Sequence, residues 1–368
     1  MAEVKPWLDI NKKVGALLRD LADVQTSQQS KWGYKRAAAA ILDLEEPLES
    51  LLQPDGTLRK IPHVGPSSLR VIHEFLQSGR SESVERAVTG SPKAATVGRS
   101  REWRGNFLSG AQVAEVLGFQ KNRGLGVRDY RGDLQMHSTY SDGRVTLAEL
   151  AEGCLARGYA YCGVTDHSYG LPIARGVSMS NLARQHAEIN RLNRRYKGRF
   201  RMLKGIEANI LADGTLDMAP DELRTLEVIL AAPHSKLRTG DDQTTRMLTA
   251  VSTPGVHILA HPRGRKFGTR PGIAARWDRV FAAAAASGVA IEIDGDPTRQ
   301  DVDFELAQRA IKAGCLFALD SDAHSVEELR YADIALAHAR LAGIPKARIV
   351  NCWELDRLRE WLDAAWSR

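Results

Sequence analysis

From Tyr130 onward the chain repeats one pattern seven times: a short apolar run, a polar end, then a longer stretch with helical spacing. The runs end in LQMHS, YCGVTDHS, LKGIEANI, VILAAPHS, VHILAHP, VAIEID and LFALDSDAH. Runs this short read as buried strands, because helices need roughly ten residues or more. Residues 147–157, 180–196, 241–251, 274–286 and 304–313 supply the helices. Thr146 with Glu149, and Ser325 with Glu328, have the spacing of a capping box. Strands alternating with helices pair in parallel, and seven of them close most simply into an α/β barrel, the (β/α)7 form.

The polar ends share a chemistry. The first run gives His137 and, across a turn, Asp142; the second gives Asp166-His167. The third gives Glu207, the fourth His234, the fifth His261, and the seventh Asp322-x-His324. In such a barrel the C-terminal strand ends all face one rim, so these scattered residues should meet in one pocket. Imidazole and carboxylate suit zinc, iron and manganese, and eight such groups exceed what one ion takes from a protein. The pattern therefore predicts two or three divalent metals. A cluster of that kind acidifies bound water and grips phosphoryl oxygens, which is what phosphoester hydrolysis needs. The eight are candidates both as ligands and as catalytic groups. Asp166 and Asp320 are candidates for orienting the ligands from behind. Arg265, Arg270 and Arg299, in loops after the fifth and sixth runs, are candidates for clamping phosphate. The remaining histidines (His63, His73, His186, His257, His338) stand at no such strand end and read as ordinary polar residues.

The first third has a different texture. Residues 8–88 read as helices: Val14, Leu17, Leu18 and Leu21 form an amphipathic stripe, and a second run covers 34–44. A turn from Pro62 to Pro66 then leads into a helix with Leu69, Ile72 and Leu76 that stops at Gly79. Residues 89–128 are rich in Gly, Ser and basic side chains and read as a linker, with one short helix near 112–117. This divides the chain into 1–88, a linker at 89–128, and a barrel at 129–368. The first 130 residues hold 19 Lys/Arg against 15 Asp/Glu, an excess too mild to identify an acidic partner by itself. Cys154, Cys162, Cys315 and Cys352 show no CxxC spacing and read as buried thiols of a reducing cytoplasm. The opening MAEVKPWLDINKK lacks the apolar run of a signal peptide, and no stretch is apolar enough to span a bilayer.

The motif series GDLQMHSTYSDG (132–143), GVTDHS (163–168), GIEANILADGTLD (205–217), PHS (233–235), AHPRGR (260–265), EIDGDPTR (292–299) and DSDAH (320–324) resembles that of the PHP (polymerase and histidinol phosphatase) superfamily. The wording is most similar to the C-terminal PHP domain of bacterial family X DNA polymerases. The resemblance implies a distorted barrel with a trinuclear site. By that analogy His137, Glu207 and Asp322 hold one metal, and Asp142, His167 and His324 a second. Glu207 also bridges to a third held by His234 and His261. Gln135 stands where the superfamily has the first His of its HxH, as in family X members, and an amide is a weaker ligand than imidazole.

Residues 8–80 resemble the small helical domain of the same polymerases, with IPHVGPSSLRVIHEF matching its helix-hairpin-helix. Such a hairpin offers backbone N–H groups to a DNA phosphate, and the matching residues here are Val64, Gly65, Ser67 and Ser68. His63 replaces the usual first glycine, and Val71 replaces the lysine that forms a Schiff base with abasic sugars, so no lyase activity through that position is expected. Only residues 89–128 fill the place of the polymerase palm and fingers, and no pair of polymerase aspartates is visible; no DNA synthesis is expected. What remains is a DNA phosphoesterase: a 3′-to-5′ exonuclease, a 3′-phosphatase or an abasic-site enzyme. Two other readings stay open, a small-molecule phosphatase of the histidinol-phosphate type and a non-catalytic module recruiting a polymerase or ligase.

Overall fold

A computed structural model describes residues 9–118 and 125–367. The chain divides into two compact units, one within Met1–Lys121 joined by Lys266–Arg270, the other Asn122–Arg265 with Pro271–Arg368. No helix among the described residues is long and apolar enough to cross a membrane.

The first unit is all helical. It contains α1 (Ile10–Val24), α2 (Gln28–Asp43), α3 (Pro66–Ser78), α4 (Glu82–Thr89), α5 (Ala94–Glu102) and α6 (Gly110–Gly118). Side-chain caps start three of them: Asp9 accepts from Lys12 N, Ser27 from Ser30 N, and Ser81 from Val84 N. Val14, Leu18, Ala37, Ile41, Leu48, Ile72 and Val84 are fully buried in its core. Residues 89–118 depart from the linker expected there in carrying α5, while α6 stands where one short helix was expected. Val97 and Val113 are buried, and two of the basic residues that look like linker pair with acids of the same unit. Arg101 Nε lies 2.7 Å and Arg104 Nη1 2.6 Å from Asp20 of α1. Local composition could not show that a distant, buried Asp20 would neutralise them. Residues 119–124 of that stretch, like residues 1–8, lie outside the described residues.

The second unit is the expected parallel barrel. Its strands are β1 (Gly132–Asp133), β2 (Tyr161–Val164), β3 (Arg201–Asn209), β4 (Val228–Ala232), β5 (Ile258–Leu259), β6 (Ala290–Asp294) and β7 (Leu316–Asp320), paired in sequence order. The ends nearly close: Met136 bridges Ala323, and His137 N donates to Ala323 O at 2.9 Å. Between the strands run α7 (Leu147–Ala156), α8 (Met179–Arg195), the short α9 (Pro220–Leu223), α10 (Thr244–Val251), α11 (Trp277–Ala286) and α12 (Phe304–Ala313). α13 (Ala332–Ala342) and α14 (Leu355–Ala364) follow β7. The Thr146–Glu149 capping box forms as expected. The Ser325–Glu328 box does not: Glu328 instead accepts the His324 N–H at 2.8 Å, and a 3₁₀ turn (Glu327–Tyr331) follows.

Strand periodicity decides what the barrel encloses. Tyr161, Leu203, Val228, Leu230, Ala232, Ile258, Ala290 and Ala318 share one buried core with Trp353, Leu358 and Trp361 from the C-terminal segment. Counting on by twos, every series but that of Ile258 turns polar toward the C-terminal strand end: 161 leads to His167, 203 to Glu207, 228 to His234, 290 to Glu292 and Asp294, and 318 to Asp320 and Asp322. All four cysteines are buried and free.

Candidate metal centre

The eight residues meet around Glu207. Its Oε1 lies 2.7 Å from His261 Nε2 and 3.1 Å from His234 Nε2, and its Oε2 lies 3.0 Å from His167 Nδ1 and 3.3 Å from His137 Nε2. His137 Nε2 also reaches Asp322 Oδ1 at 2.9 Å. Asp142 Oδ1 stands 3.3 Å from His324 Nε2 and 3.5 Å from His167 Nε2. Three groupings can hold an ion: His137, Asp142, His167 and His324; His167, Glu207 and His234; and His137, Glu207 and Asp322.

The donor set fits cations better than hydrogen bonds. Glu207 Oε2, His137 Nδ1 and both ring nitrogens of His234 are buried and make no hydrogen bond. Nine acids are buried in this unit (Asp133, Asp166, Glu207, Glu292, Asp294, Asp301, Asp303, Asp320, Asp322) against two buried arginines, Arg246 and Arg265. Such an excess of buried anionic groups calls for positive charge from outside the chain or for protonation.

The chain is bent to place these groups. Gly143 permits the turn that returns Asp142 to His137, because a Cβ there would stand 2.3 Å from the His137 carbonyl. Asp322 and His261 sit at φ 52° and 27°, a left-handed backbone that costs a side chain about 1–3 kcal/mol. His261 is out of step with Ile258 and Ala260, and its left-handed turn coincides with that change. Buried Glu292 accepts the His261 N–H. Asp166 accepts from Ser138 N (2.8 Å), Ser138 Oγ (2.6 Å) and Gln185 Nε2 (2.6 Å), fixing the loop after β1. Asp320 accepts from Leu134 N and Asn351 Nδ2, both at 2.8 Å, tying β7 to β1.

Protonation follows the packing. Burial opposes it, but the charge of His167 holds Glu207 well below the usual carboxylate range. Burial likewise resists ionisation of Asp142, yet its bond to His324 and three nearby imidazoles take it down to about 2. Burial drags His234 down to about 4. His324 goes the other way, to about 9, because its bond to Asp142 and the charge of Asp322 outweigh burial.

The other sequence candidates divide. Gln135 is buried with its amide between Asp322 (3.4 Å) and Glu292; with oxygen and nitrogen exchanged it donates to Glu292. It serves there as a donor to carboxylates. Arg299 Nη1 lies 2.7 Å from Asp322 Oδ2 and 3.5 Å from Asp294 Oδ2, at the edge of the cluster. Arg265 is buried with Nε on Arg299 O (3.0 Å), Nη1 on Asp303 (2.9 Å) and Nη2 on Gln300 O (2.8 Å), so a phosphate would have to break those bonds. Arg270, half-buried, lies in Lys266–Arg270, which groups with the helical unit and not with the barrel unit that holds the cluster. At the hairpin, Gly65 and Ser67 are exposed, Val64 half-buried and the Ser68 side chain buried. Gly65 and Pro66 begin α3 without a side-chain cap, which leaves its first N–H groups available. His63 adopts φ 62°, the left-handed conformation its glycine counterpart takes freely. Glu292 and Asp294 escaped the sequence reading, although 290, 292 and 294 keep the step of the inward face. His257 and His338 are buried and hydrogen-bonded by both ring nitrogens, the ordinary role expected of them.

The family model described as a helix-hairpin-helix domain matches residues 9–81. The chain is 35% identical over 233 residues to the DNA polymerase/3′-5′ exonuclease PolX of Bacillus subtilis (strain 168), covering 63% of this chain and 41% of that protein. It is 29% identical over 234 residues to a probable phosphatase of Enterobacter sp. (strain 638), covering 60% of this chain and 90% of the relative. A solved histidinol phosphate phosphatase from Lactococcus lactis subsp. lactis Il1403, complexed with zinc, L-histidinol and phosphate, shares 16% identity. That match covers 56% of this chain and 92% of the other, at a TM-score of 0.43. The chain spans less than half the length of the polymerase relative. With its seven-stranded parallel barrel and its ordered motif series, this chain resembles PHP-type proteins, and its residues 9–81 match a helix-hairpin-helix domain.

Proposed function

We propose that this chain is a metal-dependent phosphoesterase that hydrolyses DNA ends or abasic sites, as a 3′-to-5′ exonuclease, 3′-phosphatase or abasic-site enzyme, without polymerase activity. The observation that carries the chemistry is the Glu207 carboxylate surrounded by four imidazoles within 3.3 Å. His137, Asp142, His167, Glu207, His234, His261, Asp322 and His324 would hold two or three ions of manganese, zinc or iron. Such ions supply an acidified water and a grip on phosphoryl oxygens. The chain does the rest. Asp166 and Glu328 fix the backbone of the loops bearing His137 and His324. Arg299, held between Asp322 and Asp294, offers a cation to a phosphoryl oxygen in a site otherwise lined by imidazoles and carboxylates.

DNA as substrate is favoured by the hairpin domain and by the polymerase/exonuclease relative. We assign residues 1–88 to backbone contact with DNA and 129–368 to catalysis. A small phosphomonoester is the second reading, favoured by the similarity to a probable phosphatase. The test is manganese-dependent release from end-labelled DNA bearing a 3′-OH, a 3′-phosphate or an internal abasic site, with His167→Ala alongside. Turnover that vanishes in the variant is expected. Brisk hydrolysis of a small phosphomonoester with no DNA turnover would replace the first reading with the second. Failure on both, with fewer than two metals per chain, would favour a recruitment module for a polymerase or ligase.

A further inference from the structure

α8 carries Arg184, Arg191, Arg194 and Arg195 against a single acid, Glu188. Leu182, Gln185, Ile189 and Leu192 form its buried face, while Arg184, Arg191 and Arg194 are exposed. Arg184, Glu188 and Arg191 fall at i, i+4 and i+7, one stripe of the helix. A run of arginines on a helix is ordinarily a solvated face, but two features set this stripe apart. Its one carboxylate is occupied, because Glu188 accepts the Tyr140 hydroxyl at 2.9 Å. The stripe also lies against the metal-centre loop. Tyr140, whose hydroxyl reaches Glu188 between the two arginines in sequence, is two residues from Asp142. Next to Arg184, Gln185 donates to Asp166 at 2.6 Å, the same carboxylate that accepts from Ser138 of that loop.

We propose that the Arg184–Arg191 stripe of α8 receives the phosphodiester backbone of the DNA strand whose end occupies the metal centre. The inference rests on the DNA reading above and adds the surface that reading lacks within the barrel. Seven residues of helix rise about 10 Å, which matches about three phosphates at the ~3.4 Å axial spacing of one strand. Two guanidinium groups at that separation grip the backbone and leave the bases unread.

The experiment compares Arg184→Gln/Arg191→Gln with Arg309→Gln/Lys312→Gln, which removes the same charge from exposed positions on α12. For manganese-dependent release from end-labelled DNA, the α8 pair should raise KM roughly tenfold and lower the salt slope of log KM by about 2, with kcat nearly unmoved. The α12 pair should behave like the wild type. A wild-type KM and salt slope in the α8 pair, or an equal change in the α12 pair, overturns the assignment while leaving the DNA reading intact. No DNA turnover by the wild-type chain removes the reading itself, and the α8 surface falls with it.

Discussion

At the scale of single residues, the metal centre depends on groups that never touch its centre. Glu328 accepts the His324 N–H and also pairs with Arg144, so it fixes the imidazole through its backbone. Glu328→Ala should therefore weaken metal binding by roughly 10–100-fold, the range for lost supporting contacts, with little change in stability. A manganese titration reads this, and unchanged affinity would remove Glu328 from the site. Protons compete for the same ring. His324 titrates at about 9 without metal, so binding near pH 7 must displace its proton. Affinity should rise ~tenfold per pH unit from pH 7 and level off near 9, with proton release visible by calorimetry in two buffers. His234, taken down to about 4, is already neutral and adds no such dependence. In the metal-free chain the sign for stability is the reverse. A His raised from 6.5 to about 9 stabilises the fold fully below about 6.5, and that contribution fades as pH climbs through 9.

At the scale of elements, the hairpin and the barrel strands place strain differently. His63 holds φ 62° at an exposed turn, where glycine adopts that backbone without a Cβ penalty. His63→Gly should stabilise the helical unit by about 1 kcal/mol, read as a higher urea midpoint with the same slope. A lower midpoint would mean that the imidazole makes contacts worth more than the strain. Asp322 and His261 hold comparable strain where the putting-together of ligands requires it, so glycine there should gain backbone freedom and lose metal. Helices are legible in sequence where capping and apolar spacing agree, as in α7 after Thr146. At 94–104 composition misleads, because Asp20, 81 and 84 residues away in sequence, makes Arg101 and Arg104 partners of α1.

At the scale of the whole molecule, nine buried acids against two buried arginines must be balanced by bound cations or by protonation. Chelation should lower Tm and manganese should restore it, by about 2.7 kcal/mol at a hundred times Kd. Elemental analysis should give at least two ions per chain. A Tm indifferent to both chelator and manganese would show that protonated acids, and not metals, balance the cluster.

The sequence by itself determined the seven strands, their parallel order and the eight groups at their ends, because short apolar runs and a repeated polar terminus are local signals. The ordered motif series added a resemblance to the PHP superfamily and the three ligand sets that it implies. Only the tertiary structure decided which carboxylate stands at the middle, that Gln135 turns to Glu292 and Asp322, and that Arg265 is spent inside its own loop. It alone decided that Glu328 supports His324 in place of capping a helix. Each of these is a choice among partners far apart in the chain, and no local pattern encodes which partner packing will bring near.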